Sequence, residues 1–102
     1  MNRLEKRLQR WVNEWVQARA AWVIQLRKDD YFTNRNATPE HLDTLEKMTY
    51  CEEKFMDVLV TALKKGQLSQ ADVDRGIYHY YPQVVEQSDN LIQEWTNDNT
   101  TR

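Results

Sequence analysis

Apolar residues recur every three or four positions through three long stretches of the chain, which is the spacing of an α-helix. The first stretch has one apolar stripe, formed by Leu4, Leu8, Trp11, Trp15, Ala18 and Trp22. No glycine or proline interrupts it, and the pattern predicts a helix over about residues 3–30. The same spacing predicts two more helices, over about 39–65 and 70–96.

Local signals mark where these helices begin and end. The segment "DDYFTNRNATP" is rich in Asp, Asn and Thr, which predicts a loop whose Tyr31 and Phe32 fold back onto the core. Thr38 before a proline predicts an N-cap. Gly66 predicts the end of the second helix.

The third helix contains an unusual run, "RGIYHYYP" at residues 75–82. Its apolar stripe keeps one phase across the proline, through Val73, Ile77, Tyr80, Val84, Ser88, Leu91 and Trp95. Two separate helices would share that phase only by coincidence, so the pattern favours one helix that is kinked near Gly76–Pro82. The alternative is a break at Tyr81, with Pro82 opening a fourth short helix. A capping box at Ser69 and Asp72 predicts the start of the third helix.

Three helices of similar length with short connections predict an all-α fold, an antiparallel three-helix bundle. A chain of 102 residues is expected to form a single domain, here residues 1–96, followed by a frayed tail at 97–102.

The apolar arcs are wider than one monomer needs. Each covers roughly 160–180° of its helix, against a little over 100° for an ordinary surface helix. Five apolar or aromatic residues lie at or beyond the arc edges: Ile24, Leu42, Val60, Tyr78 and Ile92. This excess predicts a further buried surface, in a homodimer or against a protein partner. The candidate interface residues are the aromatic ones and a neighbouring histidine: Trp11, Trp15, Trp22, Tyr78, His79, Tyr81 and Trp95.

Two charged residues interrupt the apolar arcs, Arg19 in the first helix and Glu52 in the second. A buried charge needs a partner, and both residues lie near the middle of their helices. The sequence therefore predicts a structural Arg19–Glu52 ion pair. The alternative is that each long side chain reaches water.

Basic residues are concentrated at the start of the chain. The net charge is −2, yet residues 1–28 hold seven of the 14 Lys and Arg. A cluster able to contact phosphates lies opposite the tryptophan stripe and consists of Arg3, Lys6, Arg7 and Arg10. Nucleic-acid binding is thus the alternative function, although the sequence pI of about 5.6 is low for such a protein.

No pattern for catalysis, cofactor binding or metal binding is present in the sequence. His41 and His79 are far apart and Cys51 is the single cysteine, so we expect no enzyme, no cofactor and no metal site. The lone cysteine and the charged start of the chain favour a cytoplasmic protein without a membrane span. The pattern as a whole predicts a small regulator, inhibitor or adaptor that acts by protein–protein interaction. Accessory factors of phages and mobile elements are a class rich in such proteins.

Overall fold

The computed structural model describes residues 2–29 and 38–100. These ranges contain three helices, α1 (Arg3–Lys28), α2 (Pro39–Lys64) and α3 (Gln70–Thr100), and no strand. The all-α three-helix bundle predicted from the sequence is confirmed. The helix α3 continues four residues beyond its predicted end. The predicted loop, with Tyr31 and Phe32, lies outside the described residues.

Contacts between α2 and α3 show that these helices run in opposite directions. The ring of Phe55 packs at 5.7 Å from that of Tyr80. Four residues later on α2, Leu59 lies beside Gly76, which is four residues earlier on α3. A step forward on one helix therefore matches a step backward on the other.

The helices α1 and α3 run in the same direction. Trp15 packs on Tyr81 with ring centroids 5.8 Å apart, and Arg19 reaches Asp89 further along both helices. The bundle is thus up-down-up. Helix α1 packs closely on both neighbours, whereas α2 and α3 touch each other much less.

The core fills the space between the three helices. Buried members of its main cluster are Leu8, Val12, Trp15, Val16, Cys51, Phe55, Val58, Leu59, Val73 and Val84. They come from all three helices, and burial of these apolar side chains stabilises the bundle.

Helix α3 passes through Pro82 without interruption, and the alternative of a fourth helix is wrong. Proline lacks the N–H that would bond to the carbonyl of Tyr78. Pro82 is exposed, and Tyr78 is 81% exposed. The missing bond therefore falls on the outer face of α3, where a lost hydrogen bond costs less than in the core. A kink near Gly76–Pro82 stays a prediction.

Side chains cap the helices as the sequence indicates. The Thr38 hydroxyl accepts a hydrogen bond from the His41 N–H at 3.1 Å. At the start of α3 the Asp72 N–H donates to Ser69 Oγ at 3.2 Å, and the Ser69 N–H donates to the Asp72 carboxylate at 3.0 Å. Both predicted caps are confirmed.

A carboxylate joins the end of α1 to the start of α2. Asp29 accepts hydrogen bonds from the Thr38 hydroxyl at 2.7 Å and from Gln25 Nε2 at 3.0 Å. The bond from Thr38, followed by that from Gln25, lowers the pKa of Asp29. Because the folded-state pKa is lowered, this contribution to stability is present above the ordinary carboxyl pKa and is lost as pH falls through the lowered value.

Replacing each of the two glycines by alanine should change the stability of the fold in opposite directions. Gly66 ends α2 with φ at 74°, which L-residues avoid, so we expect Gly66→Ala to destabilise the fold by about 1 kcal/mol. At Gly76 an added Cβ would lie 3.4 Å from Leu59 Cδ2, an ordinary contact. Since glycine weakens a helix interior, Gly76→Ala should stabilise the fold by about 0.5–1 kcal/mol. Urea unfolding of both variants measures these free energies. Destabilisation by Gly76→Ala would show that α2 and α3 approach too closely there for a methyl group.

Candidate protein-binding groove

An open groove runs along α1 and α2, and Trp95 of α3 also lines it. Its volume is about 1040 Å³. Helix α1 contributes Trp11 and the small residues Ala18 and Ala21, and small side chains leave room for a bound group. The remaining apolar lining consists of Leu42, Leu45, Tyr50 and Cys51. We call this surface the groove.

The groove exposes large apolar side chains. Leu42 is 54% and Tyr50 51% exposed, so both present apolar surface to the solvent. Tyr50 also meets the Trp11 ring edge-on, with centroids 6.1 Å apart. This contact holds the two aromatic rings in a fixed arrangement at one end of the groove.

The rim of the groove is acidic. Among the described lining residues the carboxylates belong to Glu14, Asp43, Glu46 and Glu53, and the cation is Lys47. The ammonium of Lys54 also lies near this surface, 5.4 Å from the centroid of the Tyr50 ring. Lys47 pairs with Asp43 at 3.4 Å. The three glutamates therefore leave the rim with a net negative charge, which favours a basic partner.

Cys51 lies in the groove but is poorly suited to nucleophilic chemistry. Burial raises the pKa of its thiol, and the charge of Glu14 raises it further. The thiol is therefore protonated at neutral pH, whereas a nucleophilic cysteine needs the thiolate. Cys51 is 8% exposed and packs in the core cluster as a small apolar residue.

A second exposed aromatic patch lies on α3. It consists of Tyr78, His79 and Tyr81, and we call it the α3 patch. Tyr81 is 52% exposed, and its ring also packs against Trp15. The Nε2 atom of His79 lies 3.1 Å from the side-chain amide nitrogen of Gln83.

The predicted interface residues fall into four groups. Trp11 and Trp95 line the groove, and Tyr78, His79 and Tyr81 form the α3 patch. Trp15 is 5% exposed and belongs to the core. Trp22 is half-buried, and its Nε1 atom has no hydrogen-bond acceptor among the described residues. The groove and the α3 patch therefore hold the predicted residues that a partner can reach most easily.

The predicted phosphate-contacting residues form one exposed cluster at the start of α1. We call Arg3, Lys6, Arg7 and Arg10 the basic segment. Within the described ranges none of them forms an ion pair with a carboxylate. The guanidinium of Arg10 lies 5.4 Å from the centroid of the Trp11 ring, which places the basic segment next to the groove.

The predicted Arg19–Glu52 ion pair is wrong. Arg19 donates hydrogen bonds to Ser88 Oγ at 2.6 Å and to the Asp89 carboxylate at 3.0 Å, while Glu52 is exposed. Ser88 is fully buried and donates in turn to the carbonyl of Val84 at 2.6 Å. Arg19 therefore joins α1 to α3, and Glu52 reaches solvent by the alternative described above.

Two kinds of site receive no support from the described residues. Within residues 2–29 and 38–100, no group of three or more His, Cys, Asp and Glu side chains is arranged to hold a metal ion. Over the same ranges none of the helices combines the length and the apolarity that crossing a bilayer demands.

Comparison with protein-family models, with curated proteins and with solved structures gave no match to this chain. The groove, the α3 patch and the basic segment are therefore judged by their geometry and charge.

Sequence reasoning missed Tyr50 and the acidic rim. Tyr50 lies outside the apolar arc of α2, so periodicity classes it with the solvated residues. The available signal was Leu42 at the arc edge, with Glu46 about one turn and Glu53 about three turns further along. Recognising a groove from these positions also requires knowing which side of α2 faces α1, which periodicity does not give.

The Arg19 contacts predict that two alanine substitutions, at Ser88 and at Glu52, change the free energy of unfolding by different amounts. Ser88→Ala removes a buried hydrogen bond to a charged group and should cost about 1–2 kcal/mol in the free energy of unfolding. Glu52→Ala removes an exposed side chain and should change it by less than about 0.5 kcal/mol. Denaturant unfolding of both variants checks the difference. A larger loss from Glu52→Ala would instead favour the original pairing.

Proposed function

We propose that this protein acts by protein–protein interaction, as a non-enzymatic regulator, inhibitor or adaptor, and that its groove is the binding surface. The observation that carries the proposal is the exposure of Leu42 and Tyr50 beside Trp11 in one continuous concave surface. Exposed aromatic and aliphatic side chains grouped in one concave surface are typical anchors for a protein partner. The protein is proposed to work in the cytoplasm, because Cys51 is a free thiol and a reducing compartment keeps thiols free.

The shape and charge of the groove suit a basic amphipathic helix. Along α1 the lining runs from Trp11 to Ala21, a length of about 15 Å, or nearly three helical turns. A helix binds such a surface by placing its apolar stripe on the floor and its charged flanks at the rim. The glutamates of the rim then select a partner whose flanks are rich in Lys and Arg.

A synthetic amphipathic helix of Leu and Lys is a suitable probe, and the same pattern with Glu in place of Lys is its charge control. We expect calorimetry to detect binding of the Lys peptide only. The double variant Leu42→Ser with Tyr50→Ser should weaken this binding at least about tenfold, since truncating two contact residues removes most of a hot spot.

Tyr78→Ser is the matched control, because Tyr78 is an exposed aromatic residue outside the groove. It should leave the affinity unchanged. Equal binding of the Lys and Glu peptides, or a loss caused by Tyr78→Ser alone, would count against the groove and in favour of the α3 patch.

Nucleic-acid binding is a second candidate, favoured by the absence of carboxylate partners for the basic segment within the described ranges. Exposed cations on one helical face can contact consecutive phosphates.

Binding of mixed-sequence duplex DNA over a series of salt concentrations tests this second candidate. Arg7→Glu with Arg10→Glu should abolish binding or lower the salt slope by roughly 2. The matched control is Arg27→Glu with Lys28→Glu, which changes the net charge equally at exposed positions at the other end of α1. An equal effect of both pairs, or no binding by the wild type at low salt, would leave this candidate without support.

A further inference from the structure

The basic segment and the α1 wall of the groove lie on the same stripe of one helix. At about 100° per residue, the positions of Arg3, Arg7 and Arg10 continue directly into those of Glu14, Gln17 and Ala21, which line the groove. The stripe is therefore basic over its first turns and then forms the acidic-rimmed groove. No described element covers either half, since the basic segment is exposed and the groove is open.

The spacing of the two halves suits a two-fold axis. The basic segment is centred between Lys6 and Arg7, and the α1 wall of the groove, which runs from Trp11 to Ala21, is centred between Trp15 and Gln17. The midpoint falls next to Trp11, with each centre about 7 Å away along the helix. Two copies with antiparallel α1 helices, related by an axis at this midpoint, therefore bring each basic segment over the groove of the other copy.

The charges of the two halves are complementary. Four cations lie on the basic segment, with no carboxylate partner in the described ranges. Three glutamates of the rim, Glu14, Glu46 and Glu53, are exposed. Between two copies each set of charges therefore meets the opposite sign, which gives both attraction and a fixed register.

We propose that the groove is occupied by the basic segment of a second copy of this chain, in an isologous dimer. This inference rests on the proposed function and names the partner of the same surface. A two-fold arrangement uses each surface twice and closes at two copies, so no unpaired groove remains. Trp11 lies beside the axis and contributes to both halves of the interface.

A charge-swap experiment tests the dimer. One variant carries Arg7→Glu and Arg10→Glu, and the other carries Glu46→Arg and Glu53→Arg. All four residues are exposed, and circular dichroism checks that both variants fold. Each variant alone faces like charges at both halves of the interface, so its self-association should weaken roughly a hundredfold.

Mixing the two variants in equal amounts should restore a dimer. In the mixed pair one half of the interface is native, and the other has its charges exchanged, so both are attractive. Native mass spectrometry distinguishes this heterodimer from either homodimer by mass. For the wild type, light scattering over a concentration series should show a dimer that weakens with added salt, because salt screens exposed charges.

The outcomes separate the dimer from the more general proposal. A wild type that stays monomeric, or a mixture that stays monomeric while the wild type dimerises, overturns the isologous arrangement. If a monomeric wild type still binds the Lys peptide in the groove, the proposed function stands and only the second copy is excluded. If the wild-type protein binds neither a second copy nor the Lys peptide, both proposals are wrong.

Discussion

The packing of Phe55 is the interaction on which the rest of the structure depends. Its ring is 1% exposed and lies between Trp15 of α1, at 5.6 Å, and Tyr80 of α3, at 5.7 Å. Replacing a core phenylalanine by alanine costs roughly 3–5 kcal/mol. A small domain has a total stability of only about 5–15 kcal/mol. The point where all three helices meet therefore accounts for a large share of the stability and sets the register of each pair.

This junction also explains why the groove stays open. Phe55 and its neighbour Leu59 bring α2 and α3 together over one part of their length, opposite Tyr80 and Gly76. Contact between α2 and α3 is otherwise sparse, so α1 carries most of the packing. The groove lies on the side of α1 away from Val12 and Val16, which are buried. The groove stays open because α2 and α3 cover only part of the surface of α1.

Local patterns predict the helices and their caps well, because each cap depends on residues a few positions apart. Thr38 and the pair Ser69 and Asp72 act as their spacing indicates. Which residue pairs with Arg19 depends on the rotation of α2 and α3 about their own axes, which decides the side chains that face α1. Helical periodicity assigns Glu52 and Ser88 to buried arcs equally well, and only the packed structure shows which one Arg19 reaches. The same limit applies to Trp15 and Trp11, which share one stripe yet lie in the core and in the groove.

The charge separation along the chain is poorly explained by pairing within one molecule. In the antiparallel pair the start of α1 lies level with the end of α2, where Lys64 and Lys65 add positive charge. Helices α1 and α3 run parallel, so the start of α1 lies level with the start of α3. There Asp72 already forms an ion pair with Arg75 and hydrogen bonds with Ser69. Glu5 and Asp74 are exposed near this end, yet within the described ranges neither forms an ion pair with the basic segment. Its charge is available to a surface outside the monomer, and in the proposed dimer the acidic rim of a second copy supplies that surface.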